Sequence, residues 1–221
     1  NTAKPIYTGS LYEIEDGVFK IIAIDGYRMA IRSENVDSES KNRFVVPGKT
    51  QHEVLKLLTD DEENTEIIIG QRHITFKIKN YRIISRLIEG TFIEYKSAIP
   101  KETKTEVVIN TRTIIDAVER MSLLNNDRIQ SPVRCIFSDD EIKLSCTSAV
   151  GRANDVISVP IIGESVEIGF NNRYLLDALK NADTDEIKLI LNGSLTAMIV
   201  KPVKGDSYLS IVVPMRLANE N

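Results

Sequence analysis

Residues 166–213 read VEIGFNNRYLLDALKNADTDEIKLILNGSLTAMIVKPVKGDSYLSIVV, and the fold can be predicted from this stretch because the chain contains its pattern twice. Residues 44–88, FVVPGKTQHEVLKLLTDDEENTEIIIGQRHITFKIKNYRIISRLI, follow the same order. In each copy a short apolar strand leads into an amphipathic helix, an acidic turn and then three alternating strands. The helices are offset so that Leu58 corresponds to Leu179. The chain is therefore built on an internal repeat.

A second pair of segments repeats in the same way. Residues 5–33 alternate apolar and polar side chains around the turns EDG and IDGYR, and residues 132–159 do so around SDDE and AVGR. An amphipathic helix, TRTIIDAVERMSLL at 111–124, precedes only the second copy. We therefore interpret each domain as two helix-plus-sheet modules. The first domain is expected to lack its opening helix because the chain was cut from a longer one.

The boundary between the two repeats is expected near residues 95–106, YKSAIPKETKTE, which carry a proline and five charges without periodicity. We predict one domain over residues 1–98 and another over residues 99–221. Few helices against many short strands predict an α+β fold, with antiparallel sheets outside and the helices clustered on the inner face.

The composition is typical of a soluble globular protein, with 42% hydrophobic and 27% charged residues. No apolar run approaches the ~20 residues that a membrane helix needs. The N-terminus has neither an initiator Met nor a signal-peptide apolar region, which indicates a cut inside a longer chain. Cys135 and Cys146 lie in alternating apolar runs, so we predict buried free thiols and a cytoplasmic protein.

The charge balance argues against DNA binding by bulk attraction. Lys and Arg number 28 and Asp and Glu number 32, so the formal net charge is 28 − 32 = −4. Any role at DNA therefore requires the basic side chains to be gathered on one surface.

Motifs that suggest catalysis are incomplete. The GKT at 48–50 resembles the end of a phosphate-binding loop, but that loop needs a glycine where Arg43 stands. His52 and His73 have no partner at metal-ligand spacing, so both are expected at the surface. The acidic run at 60–63 is expected to be a solvated turn. We therefore expect no catalytic residue, no metal site and no cofactor.

Four segments resemble the bacterial β sliding clamp family, the β subunit of DNA polymerase III. They are AIDGYRMAI (23–31), SRLIEGTFIEYKSAIP (85–100), EIGFNNRYLLDAL (167–179) and VVPMRL (212–217). They follow the family's order along the whole chain. The internal repeat agrees with a fold of three two-module domains, of which this chain would hold the second and third. Ile24 replaces the usual Thr, Ile93 a Pro and Val213 a Met, and Ala218–Asn221 extend past the family's usual end.

The resemblance implies the DNA clamp fold and a non-catalytic processivity factor that encircles double-stranded DNA without reading its sequence. Implied partners are the polymerase III α subunit, the clamp loader, and other replication and repair proteins. Each would bind through a short linear motif of the Gln-Leu-x-Leu-Phe class. The full-length protein would form a homodimeric ring, whereas this chain is expected to be a monomer.

The resemblance also implies a hydrophobic groove for those motifs. The residue types suit it, because Met and aliphatic side chains make an adaptable floor and Tyr and Arg are frequent interface anchors. The implied groove residues are Tyr7, Ile24, Gly26, Tyr27, Arg28, Met29, Ile93, Ser97, Ala98, Ile129, Asn171, Tyr174, Leu195, Ile211, Val212, Val213, Pro214, Met215 and Arg216.

Helix periodicity predicts a surface on which basic side chains gather, as DNA binding by an acidic chain requires. With Val54, Leu55 and Leu58 predicted on the core side of the first helix, its lysines face outward, and the other helices behave alike. The predicted DNA-facing residues are Lys49, Lys56, Arg112, Arg120, Arg173 and Lys180. The resemblance assigns Leu123 and Leu124 to the contact with the neighbouring subunit.

Two other functions remain open at this point. One is a peptide-binding scaffold of the same fold that does not bind DNA. The other is an α+β nuclease or phosphotransferase, which a cleft lined by convergent carboxylates or a bound metal would favour.

Overall fold

The structure, a computed structural model, describes residues 4–59, 64–124 and 131–217. The chain folds into two compact units. The first unit holds the residues up to Asp25 together with Ile31–Glu94. The second holds Gly26–Ala30 and the residues from Tyr95 onward.

The first unit contains two antiparallel arrays and one α-helix. A 3-10 helix over Pro5–Thr8 leads into strands β1 (Gly9–Glu15), β2 (Val18–Ile24), β3 (Arg28–Asn35) and β4 (Asn42–Pro47), ordered β3-β2-β1-β4. Helix α1 (Gly48–Leu57) follows, and then β5 (Glu66–Ile69), β6 (His73–Ile78) and β7 (Tyr81–Arg86) form a three-stranded sheet in that order. The first three residues of β3 belong to the second unit.

The second unit has the same plan with additional strands. Its elements are a 3-10 helix (Tyr95–Ala98), β8 (Thr105–Asn110), α2 (Thr111–Ser122), β9 (Val133–Ser138), β10 (Glu141–Ser148), β11 (Gly151–Ser158), β12 (Ile161–Gly163), β13 (Val166–Phe170), α3 (Asn172–Lys180), β14 (Glu186–Leu191), β15 (Met198–Pro202) and β16 (Tyr208–Val212). Strands β11-β10-β9-β13 form one sheet, and β12-β8-β14-β15-β16 run consecutively in another.

The predicted internal repeat is confirmed by strand order within each unit. The arrays β3-β2-β1-β4 and β11-β10-β9-β13 have the same topology. In each array three consecutive strands form a meander, and a fourth strand pairs with the first of them. That fourth strand is the one that precedes the helix in the chain. The meanders β5-β6-β7 and β14-β15-β16 also correspond. Strands β8 and β12 were not predicted from the sequence, and they pair with each other at the edge of their sheet.

Two of the predicted turns are tight hairpins. Asp16 and Gly17 have φ of 51° and 73°, and Asp139 and Asp140 have φ of 54° and 55°. Positive φ at both central residues is characteristic of type I′ turns, whose twist matches that of the flanking strands. The turns at EDG and SDDE were therefore predicted correctly.

The second unit's helices bury the apolar sides that their spacing predicts, except that Tyr174, also predicted on the core side of α3, is only half-buried. Ile114, Ile115, Val118 and Met121 of α2 are buried, as are Leu175, Ala178 and Leu179 of α3. Cys135 and Cys146 are buried free thiols, also as predicted. Burial raises the pKa of the Cys135 thiol to about 12, because the thiolate would lose its hydration.

The predicted core face of α1 is wrong for two of its three residues. Val54 is buried, but Leu55 and Leu58 are 66% and 44% exposed, and Leu57 packs against the core instead. Polar contacts set the rotation of the helix: Thr50 Oγ1 lies 2.6 Å from Ser85 Oγ, and Gln51 Nε2 donates to the Val46 carbonyl at 2.9 Å. These contacts turn residues 50, 51, 54 and 57 toward the sheet.

The histidines and acids of the described chain form no metal site. His52 and His73 are exposed, as predicted. Within residues 4–59, 64–124 and 131–217, no group of three His, Cys, Asp or Glu could hold a metal ion. The acidic run at 60–63 and the tail at 218–221 lie outside the described residues. None of the helices in the described ranges is long and apolar enough to cross a membrane.

Candidate functional site

An aromatic and charged cluster in the second unit forms the centre of the candidate site. The rings of Tyr27 and Tyr174 are stacked, with centroids 5.9 Å apart and an interplanar angle of 21°. The guanidinium carbon of Arg28 lies 4.5 Å from the centre of the Tyr174 ring. Arg28 also donates from Nη1 to the Asp177 carboxylate in an ion pair. The Tyr174 ring thus contacts two consecutive residues, Tyr27 and Arg28.

Helix α3 positions Tyr174 through its first turn. Asn171 is the N-cap, and its side-chain oxygen accepts a hydrogen bond from the Tyr174 backbone N–H at 3.2 Å. A capping Asn satisfies an N–H that otherwise has no partner, which fixes where the helix begins. Leu175 and Leu179 are buried in the core, whereas Tyr174 stays half-buried at the surface.

The segment Gly26–Ala30 is held by hydrogen bonds within the second unit. The Tyr27 carbonyl accepts from the Val213 N–H at 2.9 Å, and the Met29 carbonyl accepts from Ser210 Oγ at 3.0 Å. Gly26 has a φ of 93°, a conformation that glycine adopts without strain. These contacts fix the backbone while the Tyr27 side chain remains 61% exposed.

The residues after β16 are anchored against β13. The Met215 N–H donates to the Gly169 carbonyl at 2.8 Å, forming an isolated antiparallel bridge. A Cβ on Gly169 would lie 2.6 Å from a methyl carbon of Leu217, so glycine allows this close approach. Val213 and Arg216 are exposed, and Pro214 and Met215 are partly exposed. A short apolar and cationic rim, Val213–Arg216, results.

The structure places the other expected groove residues in different surroundings. Ile211, Val212 and Met29 are buried, so their side chains belong to the core beneath the rim. Ser97, Ala98 and Leu195 are exposed residues of the second unit. Tyr7, Ile24 and Ile93 are partly buried in the first unit, where Tyr7 packs edge-on against Phe92. Ile129 lies outside the described residues.

Asp177 belongs to the cluster but was not predicted from the sequence. It stands 149 residues from Arg28 in the chain, and a lone Asp on a helix is ordinarily a solvated residue. Its only sequence signal is its place three residues after Tyr174, on the same side of the helix.

The predicted DNA-facing cations are exposed, but most of them are paired. Lys56 contacts Glu53 at 2.9 Å and Lys180 contacts Glu119 at 2.6 Å. Arg112 pairs with Asp116, and Arg120 pairs with Asp155 on β11. Within the described ranges, Lys49 and Arg173 form no close ion pair, although Lys49 contributes slightly to the lowered pKa of Glu53. The exposed helix faces therefore carry less free positive charge than the sequence suggests.

Two of these pairs change the titration of their acids. The Lys56 ammonium lowers the pKa of Glu53, chiefly by its hydrogen bond, and Lys180 lowers the pKa of Glu119 in the same way. A carboxyl whose folded pKa is depressed stabilises the fold above its unfolded pKa. That contribution is lost as pH falls through the folded pKa.

The two leucines after α2 differ in exposure. Leu123 is 82% exposed, whereas Leu124 packs partly against the second unit's core. An exposed Leu is common at protein surfaces, so exposure alone does not identify an interface.

An open cleft of about 600 Å³ lies in the first unit, between β4 and the segment after β7. Its floor includes Leu11, Val45 and Phe92, and Arg43 and Arg72 are part of its lining. Among the described residues that line it, one carboxylate, that of Glu89, is present. Such a lining does not provide the paired acids that a nuclease would need.

Comparisons with known proteins agree over nearly the whole chain. The family model described as DNA polymerase III beta subunit, central domain, matches residues 1–94, and the model of the C-terminal domain matches residues 96–216. The beta sliding clamps of Halalkalibacterium halodurans and Bacillus subtilis are each 30% identical to the chain. Each match covers 96% of this chain and 58% of the relative.

Solved structures give the same result. The crystal structure of the DNA polymerase sliding clamp from Bacillus subtilis superposes with a TM-score of 0.95 at 29% identity. The match covers 99% of this chain and 59% of that one. The chain therefore spans somewhat more than half the length of these relatives.

Proposed function

Because this chain belongs to the family of the DNA polymerase III beta subunit, we propose that it acts as a DNA polymerase processivity factor. In this role it is non-catalytic and keeps a polymerase on double-stranded DNA as part of a ring. Its partners are the polymerase α subunit, the clamp loader and other replication and repair proteins in the cytoplasm.

The observation that carries this proposal is the cluster around Tyr174. An exposed tyrosine ring stacked on a fixed second ring offers an apolar surface of low conformational entropy to a partner side chain. The Val213–Arg216 rim adds adaptable apolar contacts beside it. This chemistry fits a short motif with Leu and Phe, of the Gln-Leu-x-Leu-Phe class.

The test is fluorescence anisotropy with a labelled Gln-Leu-x-Leu-Phe peptide. We expect a dissociation constant in the micromolar range, which corresponds to about 8 kcal/mol. Tyr27→Ala removes the exposed stacking surface and should weaken binding roughly tenfold, within the range of an interface anchor.

Tyr81→Ala is the matched control, because Tyr81 in β7 is 60% exposed and Tyr27 is 61% exposed. This control should change the affinity less than twofold. Equal losses in the two variants would show that the peptide does not use the Tyr27 surface.

The domain limits follow from the same family assignment. We assign the second clamp domain to residues 1–98 and the third to residues 99–221. The family matches over 1–94 and 96–216 support two domains that meet a few residues before this limit. Ring closure through Leu123 and Leu124, and a monomeric state for this chain, stay predictions.

A peptide-binding scaffold that does not hold DNA is the second candidate. The pairing of Lys56, Arg112, Arg120 and Lys180 with acids favours it, because paired cations attract phosphates less. Breaking an exposed ion pair nevertheless costs little free energy, so these cations can still contact phosphates. DNA binding by Lys49 and Arg173 therefore decides between the two candidates.

A further inference from the structure

The Arg28 side chain is held from two directions in the second unit. Its guanidinium lies against the Tyr174 ring and donates to the Asp177 carboxylate. The Tyr174 ring contacts Tyr27 as well. Asp177 therefore acts on the two tyrosine rings through Arg28.

The two polar residues that follow Asp177 near the end of α3 do not contact its carboxylate. Lys180, one turn further along, pairs with Glu119 instead. The Asn181 side chain donates to the Asp177 backbone carbonyl at 2.6 Å rather than to its carboxylate. The side chains of Arg28 and Asp177 are 31% and 47% exposed, so their Coulomb attraction is screened. The main effect of the pair is to orient a planar guanidinium over a ring.

We propose that Asp177 is a positioning residue and a specificity determinant of the peptide groove, an inference that rests on the proposed peptide-binding function. It holds Arg28 over Tyr174, which keeps the Tyr174 ring in place beneath Tyr27. It also neutralises Arg28. The platform therefore accepts an apolar or aromatic side chain and does not favour an acidic one.

The first test uses the peptide-free chain with ¹³C-labelled tyrosine rings. Nuclear Overhauser contacts between the Tyr27 and Tyr174 rings should be present in the wild type and lost in Asp177→Asn and in Arg28→Gln. Asp177→Glu keeps a carboxylate and should retain them. Unchanged ring contacts in Asp177→Asn, with an unchanged circular dichroism spectrum, would overturn the proposal.

The second test compares two peptides, Gln-Leu-Ser-Leu-Phe and Gln-Leu-Asp-Leu-Phe, by anisotropy. Asp177→Asn should weaken the Ser peptide about fivefold, the size of a lost aromatic contact. The Asp peptide should lose less, because the Asp177 negative charge beside Arg28 is then absent. The double variant Arg28→Gln, Asp177→Asn should bind the Ser peptide no worse than either single variant. Additive losses would show that the two residues act independently, contrary to the proposal.

Glu119→Gln is the matched control, because it breaks the ion pair between Glu119 on α2 and Lys180 on α3. Lys180 lies one turn from Asp177. It should leave the ring contacts and both affinities unchanged, and a loss equal to that of Asp177→Asn would overturn the proposal. If the wild type binds neither peptide, the proposed groove function fails. The ring-contact measurement still decides whether Asp177 positions the tyrosines.

Discussion

Among single residues, Cys135 is made chemically inert by its burial. Its pKa is raised to about 12 because the thiolate would sit in the apolar core, and the thiolate is the reactive form. At pH 8 we therefore expect almost no reaction of the native chain with a disulfide reagent. Unfolding in urea should release both thiols, Cys135 and Cys146, which absorbance measures as two thiols per chain.

The control for this prediction is Cys135→Ser, which should release one thiol on unfolding. Rapid labelling of the native wild type that disappears in Cys135→Ser would show that the thiol is accessible, contrary to its burial.

Among the secondary-structure elements, the two repeated helices use corresponding leucines differently. Leu179 of α3 is fully buried, whereas Leu58, its counterpart after α1, is 44% exposed. Leu179→Ala should lower the free energy of unfolding by about 2–5 kcal/mol, because it leaves a cavity among well-packed neighbours. Leu58→Ala leaves no cavity and should cost less than about 1 kcal/mol.

Urea titration followed by circular dichroism measures both variants, and each serves as the control for the other. Similar losses at the two positions would mean that Leu58 is packed like its counterpart and that the rotation of α1 described above is incorrect.

For the molecule as a whole, the net charge of −4 leaves DNA binding to a few exposed cations. Lys49→Glu with Arg173→Glu reverses the two predicted DNA-facing cations that form no close ion pair in the described ranges. At low salt this pair of changes should weaken duplex binding by about tenfold or more, because two phosphate contacts and their released counterions are lost. Filter binding or anisotropy with labelled duplex DNA measures the loss.

The control for the DNA experiment reverses Arg82 and Lys204, which are exposed cations outside the helices, one in each unit. This variant has the same net charge and should keep most of the affinity. Peptide binding should be unaffected in both variants. Equal loss of DNA binding in the two would exclude the helix faces as the DNA surface.

Features that depend on neighbouring residues could be predicted from the amino-acid sequence. Apolar spacing predicted α2 and α3 with their buried faces, because helix geometry places residues three and four apart on one side. Acidic and glycine turns marked the hairpins at Asp16 and Asp139, because few residue types accept their positive φ. The internal repeat followed from these local patterns, and the strand order of the two units confirmed it.

Features that join distant residues became visible in the folded chain alone. Local periodicity could not choose between Leu55 and Leu57 on α1, since polar bonds from Thr50 and Gln51 set the rotation of the helix. It could not pair β8 with β12 either. The contact of Asp177 with Arg28 depends on where the folded chain brings two segments 149 residues apart. Backbone geometry sets the spacing along one element, whereas contacts between elements depend on packing, which no local pattern specifies.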